Sequence, residues 1–305
     1  MQNNSRNLLL VLVVGFGLLL VCGRKPPMDE AVYRQQIADW HRQRIAELTR
    51  PDGWLTLVGL NWLQDGANAF GSDSGNAVVF PPKAPPFMGM FYLKNGHVTV
   101  KIRPEVAVYH QGQRVDSLAL QPDVTGAPTV LSHGTLHWYI IKRGERYAVR
   151  IKDSESPLRI RFKGIERFPV NLRWRIPARF DPYDPPKTIA VPTVLGTTVS
   201  QPCPGRLVFE WEGHTYTLDV IQENPADPFF ILFGDRTNSQ ETYGGGRFLD
   251  VDPPDHSGFT ILDFNKAYNP PCAFTPYATC PLPPAQNHLP FAVRAGEKSY
   301  GKAHD

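Results

Sequence analysis

From Trp54 onward, short segments that alternate apolar and polar side chains follow one another, with little between them but glycine, proline and asparagine. A period of two marks a strand with one face on a core and one in water. The segments 97–102 (HVTVKI), 135–143 (TLHWYIIKR) and 146–153 (RYAVRIKD) carry this pattern, with a tight turn at 143–145. The clearest case is RLVFEW (206–211), then Glu212-Gly213, then HTYTLDVI (214–221). Leu207, Phe209 and Trp211 alternate on one arm and Tyr216, Leu218 and Val220 on the other, a hairpin signature. Further strands are expected at 158–164, 170–180, 228–235, 246–251 and 258–265, with a proline-rich crossing, DPYDPPK, at 181–187. So many strands with almost no intervening helix predict an all-β chain of antiparallel sandwiches or barrels.

One helix precedes them. Over 28–50, Tyr33, Ile37, Trp40, Ala46 and Leu48 recur at helical spacing, Asp29 stands where a cap belongs, and Pro51 and Gly53 stop the pattern. The chain then divides into a first β-sandwich over 51–153 and a second antiparallel β-sandwich or barrel over 154–305, the boundary falling in DSESP (153–157).

Residues 1–22 are of another kind. One arginine and no acid precede an uninterrupted apolar run of 15, residues 8–22. That is short of the roughly 20 residues of a membrane-spanning helix and suits the apolar region of a secretory signal. Its end, LLVCG, resembles a bacterial lipoprotein signal, which implies lipidation of Cys22, although Val21 stands where such signals carry a small residue. The expectation is export to the cell envelope with a membrane tether at the N-terminus, by lipid or by an uncleaved anchor.

The formal charge of +3 is small for 305 residues, and the basic residues (Arg42, Arg44, Arg143, Arg146, Arg159, Arg161) are scattered. A nucleic-acid partner is therefore not expected. GSDSG (71–75) centres on Asp73 and is no nucleophile elbow; YGGGR (243–247) lacks the continuation of a phosphate loop. His133 and His137 on a strand would lie about 13 Å apart, too far to share an ion. No cofactor or metal is implied.

The segment GLNWLQDGANAFGSDSGNAVVFPP (59–82) resembles the opening of a forkhead-associated domain, a β-sandwich that binds phosphothreonine. Ser72 replaces the arginine that would hold the phosphate, and PPFMG (85–89) lacks the expected Ser-x-x-His, so the sandwich is kept and the phosphopeptide function set aside.

One constellation carries possible chemistry. FGDRTNSQETYGGGR supplies Asp235, Arg236, Tyr243 and Arg247; ILDFNKAYNPPC supplies Asp263, Asn265 and Asn269; Asn287 and His288 follow. Buried carboxylates and amides need partners. Arg247 or Arg236 would suit Asp263 as a counter-ion, and Asp263 could orient His288. Two outcomes are open: a site for a small polar ligand or part of a partner, or a hydrolase with Asp263, His288 and Tyr243 as acid–base groups and Arg247 holding an anion. A buried Arg–Asp pair with asparagine caps is the purely structural alternative. In an oxidising compartment Cys272 and Cys280 form the natural disulfide pair, since Cys203 is remote in sequence; two reduced thiols packed as small apolar residues are the competing reading. These same segments, together with PDGWLTLVGLNWL, resemble the uncharacterised bacterial family known as domain of unknown function 1684, over about residues 30–300. The resemblance implies a two-part β protein and no particular reaction.

Overall fold

The computed structural model describes residues 28–301, so Cys22 and the apolar run lie outside the described residues. The described residues are mostly β, with one long helix ahead of the strands. Helix α1 (Glu30–Leu48) begins where Asp29 accepts the backbone N–H groups of Ala31 and Val32, and it buries Tyr33, Ile37 and Leu48. These three are spaced so that one stripe of the helix meets the β structure. No described helix is long and apolar enough to cross a membrane.

The segment 57–153 forms two sheets. One has six strands in the order 57–62, 146–153, 136–143, 131–133, 109–110, 113–114; the other has five, in the order 78–79, 66–71, 89–94, 97–102, 117–120. Their inner faces share a core in which Phe70, Phe91 and Val100 from one sheet meet Trp138, Ile140 and Val149 from the other, the face-to-face packing of a sandwich. Ser72 donates its hydroxyl to the Ala84 carbonyl at 2.7 Å, a local tie within its own loop.

After residue 156 the sequence pattern misleads twice. The expected strand at 158–164 instead opens with a helical turn, Pro157–Ile160. Pro157 sits at the first helical position, where its missing N–H costs nothing and its φ is already suitable. The expected strand at 170–180 begins as a 3-10 turn, Leu172–Trp174, and is extended only from Arg175. A four-stranded sheet follows, ordered 214–219, 198–211, 175–192, 259–263, and a two-stranded pair joins 229–233 to 247–251. The proline-rich crossing is part of the long strand Arg175–Pro192. Its register against Thr198–Trp211 shifts between Pro182 and Lys187, so the prolines fall at the irregularity, where no ladder N–H is required. At the hairpin 198–219, Glu212 (φ 49°) and Gly213 (φ 79°) both take the left-handed conformation a two-residue turn demands.

The C-terminal sheet packs Trp174, Phe209, Phe233, Leu262 and Phe264 into a second core. A third apolar cluster joins Leu57 of the six-stranded sheet to Val191, Cys203, Phe248, Ala278 and Cys280. The loop 272–280 thereby touches both sets of sheets, through this cluster and through Thr279, which accepts from Arg143 and Arg150.

Candidate functional site

The strands Phe229–Phe233 and Arg247–Val251 pair so that Phe233 is opposite Arg247. Asp235 lies just beyond the first strand, and Arg247 Nη2 meets its Oδ2 at 2.8 Å with both side chains fully buried. The same Nη2 donates to the Val293 carbonyl at 2.8 Å, and Nη1 donates to the carbonyls of Ala295 and Glu297. Asp235 Oδ1 accepts the Thr237 N–H (2.8 Å), the Thr237 hydroxyl (2.6 Å) and the Val293 N–H (3.1 Å). Burial pulls the Arg247 guanidinium below its ordinary value, and Asp235 opposes that. The pair staples the hairpin to the C-terminal segment; its bonding leaves Asp235 little to offer a ligand. Arg236, one residue on, is exposed, and its backbone N–H donates to the Phe291 carbonyl at 3.1 Å.

Asp263 has neither of the expected arginine partners. Both of its oxygens accept from the Tyr33 hydroxyl, at 2.8 and 2.9 Å, across 230 residues of chain. Burial, then the Asp263 charge, pushes the Tyr33 phenol far above its usual range, so it stays protonated and donating. Asn265 donates to Tyr33 Oη at 2.8 Å and to the Asn171 carbonyl at 2.9 Å, and accepts the Asn171 N–H at 3.0 Å. This network fastens α1 to the C-terminal sheet. His288 does not join it. Its ring lies across Gly234, where a Cβ would stand 2.6 Å from His288 Cδ2, and the backbones of 234 and 288 bridge there. The Asp263–His288 arrangement expected of a hydrolase is not formed. Asn287 is buried and spans Asp219 and Leu232 through three bonds of 2.8–2.9 Å, acting as a side-chain copy of a β bridge.

Asn269 is buried; its N–H donates to Glu297 at 2.7 Å, its amide to the Lys298 carbonyl at 2.7 Å, and its carbonyl accepts from Arg44 at 2.9 Å. Burial raises the Glu297 carboxyl above its usual range, with Arg44 opposing that from 3.5 Å. Tyr243 is half-buried, and its phenol is pushed up by burial and then by Cys272 and Cys280, which lie beside it. The two cysteines, expected as a disulfide, are brought together as free thiols. Among the described residues no cluster of three or more His, Cys, Asp or Glu could hold a metal ion.

None of the nine expected ligand residues lines the cleft that five other segments build. Glu30 and Arg34 of α1, Phe168–Asn171, Arg173–Trp174, the Trp211–Glu212 turn, and Phe291, Ala292 and Arg294 border about 740 Å3, within the range of small-molecule sites. Trp174 and Trp211 stack with centroids 4.2 Å apart, Phe291 lies 5.7 Å from Trp211 and nearly parallel to it, and the Arg173 guanidinium stands 4.4 Å over the Trp211 ring. Arg34, Arg173 and Arg294 border this aromatic wall, paired with Glu30 (2.6 Å), Glu212 and Glu241 (2.8 Å) respectively. These pairs are largely solvated, so each contributes about 0–1 kcal/mol and opens readily to a better anion. The dipeptides Arg173-Trp174 and Trp211-Glu212 were the available sequence signal: an aromatic beside a charge at the end of a strand pattern.

Residues 160–298 match the family described as protein of unknown function (DUF1684). A protein of Haloarcula marismortui, also described as uncharacterised and solved by solution NMR, is 30% identical over 48% of this chain and 81% of its own, with a TM-score of 0.40. The chain belongs to the DUF1684 family. No curated protein matches it. The DUF1684 match begins at residue 160, later than the expected span from about residue 30, so the first two sheets lie outside it. Within it fall the Asp235–Arg247 staple, the Asp263 network apart from Tyr33, both thiols, and every lining residue of the cleft except Glu30 and Arg34.

Proposed function

We propose that this DUF1684 chain binds a small ligand that combines a flat face with an anionic group, in the cleft bordered by α1 and the C-terminal sheet. The observation that carries this reading is the Trp174–Trp211 stack with three guanidiniums at its rim. Half-buried Phe291, backed by the buried Trp174–Trp211 stack, offers a flat ring or sugar a face, and an arginine fork suits a carboxylate or phosphate. The separation of Asp263 from His288 favours binding over hydrolysis. The apolar run at 8–22 supports the cell envelope as the place of action, with a tether at the N-terminus.

Calorimetric titration of the full chain with phenyl phosphate, inorganic phosphate and phenol tests the cleft. Phenyl phosphate is expected to bind tighter than either fragment. Arg173→Gln should weaken it about 10–100-fold, the loss of one charge-assisted bond. Equal heats for Arg173→Gln and the native chain, or no saturable binding by phenyl phosphate, would overturn the assignment.

A further inference from the structure

Cys272 and Cys280 enclose a seven-residue loop, 273–279. Each sulfur accepts the backbone N–H of the other residue: Cys272 N–H to Cys280 Sγ at 3.2 Å, and Cys280 N–H to Cys272 Sγ at 3.2 Å. The two thiols therefore face one another in a cradle of amide donors that favours negative charge on sulfur. Their exposures differ. Cys280 is 5% exposed and packs in the cluster between the sheets, whereas Cys272 is half-buried.

A cation stands beside them. Arg150 projects from the six-stranded sheet, is 2% exposed, donates Nη2 to Thr279 Oγ1 at 3.0 Å, and lies 5.7 Å from the Trp54 centroid. Its buried Nε has no partner, and no carboxylate pairs with it among the described residues. A buried guanidinium without a counter-ion is costly, and such charges are ordinarily paired. The groups in its vicinity that can become anionic are the two thiols, both of which its charge pulls down. The neighbouring Cys280 thiol, with help from the Cys280 N–H and Arg150, holds Cys272 below the ordinary thiol range. The same contact and burial push Cys280 far above it. Cys203, 1% exposed and donating to the Gly205 carbonyl at 3.3 Å, is pushed up to about 11 and has neither cradle nor partner thiol.

We infer that Cys272 and Cys280 are a reactive dithiol that reduces low-molecular-weight disulfides, Cys272 attacking and Cys280 resolving, with Arg150 as the counter-ion of the attacking thiolate. In the first step Cys272 thiolate attacks one sulfur of R–S–S–R. The substrate S–S bond breaks, a Cys272–S–S–R bond forms, and RS⁻ leaves and takes a proton from water. Cys280 then releases its proton to solvent and attacks the Cys272 sulfur; the second RS⁻ leaves and is protonated, and the Cys272–Cys280 disulfide remains. The substrate gains two electrons, which the dithiol supplies.

The reduced full-length chain is incubated with glutathione disulfide, and its thiols are located by peptide mass mapping. The native chain should form the 272–280 bond and release two glutathiones per chain, with no lasting adduct. Cys280→Ser should accumulate glutathione on Cys272, and Cys272→Ser should yield neither product. In parallel, alkylation of Cys272 by iodoacetamide should show a pH midpoint below the roughly 8.5 of a free thiol, and Arg150→Gln should raise that midpoint while the melting curve confirms folding. No adduct on Cys280→Ser, an adduct on Cys280 in Cys272→Ser, or a bridge that dithiothreitol cannot open in the folded chain would overturn the inference. So would a free-thiol midpoint shared by the native chain and Arg150→Gln.

Discussion

Arg247 and Arg150 are buried alike, 0% and 2% exposed, yet their surroundings differ completely. Arg247 has a carboxylate at 2.8 Å and three backbone carbonyls; Arg150 has one hydroxyl and the face of a tryptophan. Both leave a buried Nε without a partner, so the difference lies in the carboxylate: a charge paired with one holds the fold together, and a charge without one keeps an attraction in reserve for something that comes and goes. The same contrast separates the Asp263 network, closed by Tyr33 and Asn265, from the cleft, where exposed ion pairs can be exchanged for a ligand.

The strongest test of this contrast removes the carboxylate of the paired charge. Asp235→Ala leaves Arg247 buried against carbonyls alone and should cost about 3–5 kcal/mol, read as a large fall in melting temperature; a loss below 1 kcal/mol would mean the pair is not a staple. A second test uses pH. The folded Cys203 thiol is pushed up to about 11 by burial and then by Asp219, from an ordinary value of 9.0. Its neutral form is thus favoured in the folded state, so this contribution is whole below pH 9 and is lost as pH rises toward 11. The loss should reach about 2–3 kcal/mol, near 1.4 kcal/mol per pH unit, and Cys203→Ala should remove that part of the alkaline slope in denaturant melts. The smallest effect is expected at the unpaired charge: Arg150→Met should change stability by no more than about 1 kcal/mol, in either direction, because an apolar group replaces an uncompensated ion. A collapse on Arg150→Met would make the two arginines equivalent and dissolve the contrast.

Much of the architecture was legible because it is local. Asp29 caps α1, Glu212-Gly213 turns its hairpin, and the alternation at 135–153 gives two strands whose inward residues are Trp138, Ile140, Val149 and Ile151. Pro157 was equally local, but a run of alternating residues behind it read as a strand. A buried Arg–Asp pair was open as the structural alternative, but its carboxylate is Asp235 and not Asp263, because 235 and 247 lie at the ends of one strand pair. What could not be read was who covers whom. Alternation says that Asp263 points inward, and it does not say that a tyrosine from the leading helix will meet it. Nor does it show that Trp211, Arg173 and Phe291, drawn from three distant segments, will border one cleft. Cys272 and Cys280 were legible as a pair, whereas the arginine that faces them comes from the other set of sheets.

The tie between Tyr33 and Asp263 spans 230 residues, and it gives the chain a schedule. A ribosome adding about 5–20 residues per second needs roughly 10–50 s to pass from one end of that contact to the other. Throughout that interval Leu48 can find Leu55, close behind it, but the first turns of the helix have no completed sheet to rest on. The earliest of the described elements is thus among the last to be seated. Whatever handles the nascent chain must therefore shield a helix that has been waiting since the beginning, and a truncation just before residue 263 would leave it without its anchor.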